Sequence, residues 1–211
     1  MATDTGEGDP DVDPAELQAQ LDRIQEAMGI TERSEGATRQ WLVLAGLVGV
    51  ASLASQYVYS ADLSAWLYWF IWFGGFGGGS ALYYGWYEDV EFETPADKPS
   101  IPFQIFVPYL AVFPVLAVLG YAADLGERAG TLTTFAVIVI MLGVGYAVAG
   151  HSLRAYRIRA RDRYPFYVGG VWMAALGVAV PRYELLRAWP YLAFGGIYVA
   201  YALLTYAYLE R

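Results

Sequence analysis

Six long apolar runs, at 41–59, 63–86, 101–123, 131–153, 165–180 and 189–209, each lack aspartate, glutamate, lysine and arginine. A helix needs roughly 20 residues to cross a hydrocarbon core of about 30 Å, and the runs match that length. Inside lipid every backbone N–H and C=O must be satisfied without water, which selects helices over open strands. The expected fold is therefore an all-α integral membrane protein with six transmembrane helices in one bundle. Composition agrees, because only 16% of the residues are charged, against about 25% in a soluble domain. The absence of cysteine excludes a disulfide-stapled secreted scaffold. Among the runs, 165–180 is the shortest and is bounded by Pro165 and Pro181. It is expected to cross steeply or to lean on Tyr164 and Trp189 at the interfaces. The short Ser60-Ala61-Asp62 link joins the first two runs into a helical hairpin.

Ahead of the first run the chain is polar. Ten acids and three arginines fall within residues 1–40, so most of the net charge of -8 sits there. Residues 1–12 read as an acidic solvated tail without fixed structure. Residues 13–40 read as a short cytoplasmic amphipathic helix and its linker, ahead of the six-span domain at 41–211. In that helix Asp13 is the N-cap, Pro14 takes the first helical position and Glu16 completes a capping box. Gly29 is its natural stop. Leu17, Leu21, Ile24 and Met28 line up as a narrow seam fit for a partner helix or the membrane surface. No signal peptide is expected, since the first apolar run follows an acidic segment. The cations comprise twelve arginines and a single lysine, Lys98. In this the acid-rich, lysine-poor polar part resembles proteins of salt-loving microbes. An acidic tail also repels nucleic acid and anionic headgroups.

Loop cations set the orientation. With both termini cytoplasmic, ten arginines and lysines fall inside, while Arg128, Arg182 and Arg187 fall outside. Localisation in the cell membrane with N- and C-termini in the cytoplasm follows. The segment 154–163 dominates that bias. If the fourth helix continues beyond the bilayer, Arg154, Arg157 and Arg161 share one basic cytoplasmic face. The acids Glu88, Asp89, Glu91, Glu93 and Asp97 fall on the same side and are expected to pair with it. A simpler role for the arginines is to hold anionic headgroups as a topology anchor.

The second run carries the densest glycine pattern. Gly74, Gly78, Ala81 and Gly85 recur at intervals of four, three and four residues and predict a helix-packing groove. Ala45/Gly49, Gly145/Ala149, Gly170/Ala174 and Gly196/Ala200 repeat the device. Trp66, Trp69, Phe70 and Phe73 belong to an interfacial belt or, in a second reading, line a groove for an apolar ligand. Pro108 and Pro114 interrupt the third run and can kink it. Gln56 and Gln104 are among the few strongly polar side chains near the spans.

Catalytic chemistry finds little material here. His151 is the single histidine, so bilateral haem ligation and a multi-histidine metal site are excluded. Lys98 lies in a loop, away from any intramembrane Schiff base. The Gly78-Gly79-Ser80-Ala81 segment is not a nucleophile elbow. Paired intramembrane acids, the mark of proton or cation pathways, do not occur in the runs. The expectation is a non-enzymatic protein without cofactor or metal, its partners being the lipid bilayer and a protein that meets the N-terminal helix. The role expected is an accessory or scaffold subunit. The alternative is a small-solute carrier or the membrane substrate-binding subunit of a transporter, with a polar or aromatic pocket near midplane.

Overall fold

The computed structural model describes residue 20 and residues 35–86, 126–155 and 158–210. The seam Leu17, Leu21, Ile24 and Met28, the acids 88–97, the run 101–123 with Gln104, Pro108 and Pro114, and Arg157 lie outside the described residues.

All regular structure among the described residues is helical. Helix α1 spans Glu35–Ser60. A second helical stretch follows as α2 (Trp66–Trp69), a π-helical segment (Phe70–Gly77) and α3 (Gly78–Trp86). Then come α4 (Glu127–Ser152), α5 (Ala160–Ala179), the short α6 (Glu184–Ala188) and α7 (Pro190–Glu210). Among the described residues three helices are long and apolar enough to cross a membrane: Arg39–Ser60, Arg128–Ser152 and Pro190–Glu210. The 22 residues of the first of these extend about 33 Å at 1.5 Å per residue, a full hydrocarbon thickness.

The ends of the helices follow from local chemistry. After α1 the chain turns at Asp62, whose φ of 51° lies in the left-handed region that aspartate tolerates better than bulky residues. The Leu63 N–H reaches back to the Val58 carbonyl at 3.0 Å and closes that turn. The expected hairpin is thus present. Pro190 opens α7 at a position where its missing N–H costs no intrahelical bond.

Two boundaries differ from the sequence expectation. Helix α5 begins at Ala160, ahead of Pro165, so the proline lies inside the helix. Only one backbone donor is lost there, and the Pro165 carbonyl gains the Tyr201 hydroxyl as a donor from α7. The second run is continuous from Trp66 to Trp86, but its middle is a π-helix. That segment, Phe-Ile-Trp-Phe-Gly-Gly-Phe-Gly, holds three glycines and four aromatic residues among its eight. Glycine fixes the backbone weakly, which lets the wider turn persist.

The α4–α5 and α1–α7 pairs run antiparallel: Gly143 meets Gly170 and Gly177 meets Ala136, while Gly49 meets Val199 and Gly195 meets Ser52. In contrast α4 and α7 run parallel, with Phe135 on Tyr191 and Tyr146 on Tyr198. α4 packs chiefly on α5, α1 chiefly on α7, and the π segment rests on α1. The core is strongly aromatic, with Trp41, Tyr59, Phe135, Tyr191, Phe194, Tyr198 and Tyr201 buried around Met173 and Val139. Contacts at the two ends of the bundle fix which loops share a side. Arg128 and Arg187 meet Tyr59 beside the α1–α2 hairpin. At the other end Arg161 meets Tyr208, close to the end of α7.

Candidate functional site

Within the described residues the polar side chains of the bundle gather in three places. The first is Gln56, buried in the last turns of α1. Its Nε2 donates to Ser60 Oγ at 3.0 Å and to the Ala188 carbonyl at 3.2 Å. Its Oε1 accepts the Leu192 N–H at 3.3 Å. Leu192 belongs to the first turn of α7, where backbone donors have no intrahelical partner. One side chain of α1 therefore caps α7 and ties down the end of α6. Beside it, Tyr59 Oη donates to the Arg187 carbonyl at 2.9 Å and accepts from Arg128 Nε at 3.3 Å. The Arg128 guanidinium also lies 5.2 Å from the Tyr59 ring centre, in cation–π range.

The second place lies deeper. Tyr146 and Tyr198 share a hydroxyl–hydroxyl hydrogen bond of 2.7 Å between α4 and α7. Tyr201 donates to Pro165, so α5 is held to α7 by the same group of phenols. Gly169 makes room for this arrangement. A Cβ there would come within 2.7 Å of the Tyr146 ring and 2.9 Å of the Tyr201 hydroxyl. Trp41 packs on Tyr146, Phe166 and Tyr201 with ring centres 5.5–6.3 Å apart. The rings continue through Trp172, Phe194 and Phe135 to Tyr191 and Tyr68, which stack at 5.2 Å. Trp72 Nε1 donates to Ser55 Oγ at 3.1 Å and links the π segment to α1. Aromatic pairs add about 0.5–1.5 kcal/mol each beyond area burial in soluble cores. Here they also interlock helices that lipid cannot drive together.

The third place is the basic end. α4 stops at Ser152, and bonds from Arg154 to His151 and from Ala155 to Ser152 close a tight turn. The helix ending at Ser152 thus does not continue to Arg154, and its 3.6-residue period does not extend into the arginine-rich segment. Arg154 is exposed in the turn. Arg161 sits in the first turn of α5, where it donates to the Tyr208 carbonyl and lies 5.1 Å from that ring centre. A guanidinium at the end of α7 satisfies an orphan carbonyl and complements the helix dipole. His151 is exposed in the last turn of α4.

The glycine groove also differs from its spacing. A Cβ on Gly74 or Gly78 would meet nothing within 4 Å among the described residues, and Ala81 is exposed. What surrounds Gly85 is outside the described residues. Gly79 instead closes on α1, where an added Cβ would lie 2.7 Å from Leu47 Cδ2. The four-three-four spacing assumes α-helical turns, and the π segment rotates Gly74 away from that register. Trp66, Trp69, Phe70 and Phe73 are each more than half exposed, so they enclose no groove among the described residues. Gln56 is the sequence candidate that the structure places at the centre of a network. The phenol group was not singled out in sequence, since tyrosines in a membrane chain fit the interfacial belt equally well. Among the described residues no group of three or more histidine, aspartate or glutamate side chains could hold a metal.

No protein family, curated protein or solved structure matches the chain.

Proposed function

We propose that the protein is a six-span integral protein of the cell membrane with both termini cytoplasmic, acting without catalysis as an accessory or scaffold subunit. The observation that carries this reading is how the polar interior is used. Gln56, Tyr59, Tyr146, Tyr198 and Tyr201 all spend hydrogen-bonding groups on other helices or loops of the same chain. Interlocked rings fill the space between α1, α4, α5 and α7. Ser52 Oγ and Trp172 Nε1 are buried without a hydrogen-bond partner among the described residues, but the committed amide and phenols favour rigidity over the reception of a solute, whose site needs polar groups free to turn toward it. The orientation is supported by Arg128 and Arg187 at the hairpin end and Arg154 and Arg161 at the opposite, more basic end. The partner would meet the cytoplasmic surface through Leu17, Leu21, Ile24 and Met28 and the arginines of 154–163. Purification from native membranes in a mild detergent, followed by mass spectrometry, tests the reading. A second protein in stoichiometric amount is expected. A retained small molecule with no companion protein would overturn it in favour of a carrier.

A further inference from the structure

We draw no further inference here: the strongest candidate, the basic surface patch of Arg154, Arg159 and Arg163 around the turn between α4 and α5, carries nothing, because nothing among the described residues shows whether a headgroup phosphate, a carboxylate of this chain or another protein covers it.

Discussion

The α4–α5 seam and the α1–α7 seam hold helices together by different means. At the first, backbone meets backbone. A Cβ on Gly143 would lie 2.5 Å from the Gly170 carbonyl, one on Gly170 would lie 2.6 Å from the Gly143 carbonyl, and one on Gly177 would lie 2.7 Å from that of Ala136. At the second, Gln56 caps the far helix, and buried rings of Trp41, Tyr198 and Tyr201 interleave. Among the described glycines Gly195 lies against Ser52 and Gly49 against Val199 there, and both of those contacts are with side chains. Lipid supplies no hydrophobic drive between helices, so each seam must draw on dispersion or hydrogen bonds. The first seam uses distance and the second uses side-chain specificity. A change of one methyl group should therefore be felt most where no side chain can yield.

That contrast is sharpest at Gly170. Gly170→Leu should push α5 off α4, since the obstacle is the Gly143 carbonyl. Overpacking costs about 1–3 kcal/mol, and more where backbone must move. The expected outcome is a large loss of folded protein on titration with denaturing detergent. Retention of wild-type resistance would mean that the seam is looser than its geometry.

At the other seam, Gln56→Leu keeps the volume and removes the cap. The Leu192 N–H and the Ala188 carbonyl lose a partner in part-buried bonds, at about 0.5–1.5 kcal/mol each, the net worth of an ordinary hydrogen bond. Hydrogen exchange at the start of α7 should rise with it, while the middle of α4 and α5 keeps its protection. Equal loss of protection in both seams would show that they are not separable units.

A smaller effect is expected from the phenols. Tyr198→Phe deletes one side of the bond to Tyr146. A double-mutant cycle with Tyr146→Phe should give a coupling of about 0.6 kcal/mol, the average for interhelical hydrogen bonds in a membrane protein. Zero coupling would mean that these hydroxyls share a site without stabilising it.

The least effect is expected one residue from a sensitive position. Gly195→Ala drives a Cβ to 2.4 Å from Ser52 Cβ, whereas Gly196→Ala meets nothing within 4 Å among the described residues. The second should change stability by less than about 0.5 kcal/mol or raise it, because alanine favours the helix. Similar losses in both variants would contradict the assignment of the α1-facing side of α7.

These neighbours also show how far the sequence could be read. The long uncharged runs announce membrane-crossing helices because length and charge alone decide insertion, and the Ser60–Asp62 turn is legible in its short polar residues. Which glycine faces a neighbour is not. Gly196 and Gly195 are equally plausible by spacing, and the one that packs is fixed by how α7 is rotated, a tertiary property. Trp41 and Trp66 pose the same problem, one buried and the other more than half exposed, because an indole suits core and interface alike. The stop of α4 at Ser152 is unmarked by glycine or proline, so periodicity alone carries the helix on to Arg154, which it does not reach. Gln56 was visible as a rare polar group, but its role as a cap depends on an N-terminus more than a hundred residues away.

Single cysteines in the cysteine-free chain test the membrane arrangement most directly, at Ser64 in the hairpin and at Ala155 in the turn after α4, both exposed. With an impermeant maleimide added to intact cells, Ser64→Cys should react and Ala155→Cys should react only after the membrane is opened. Reaction of both from outside, or of Ala155→Cys alone, would contradict the account.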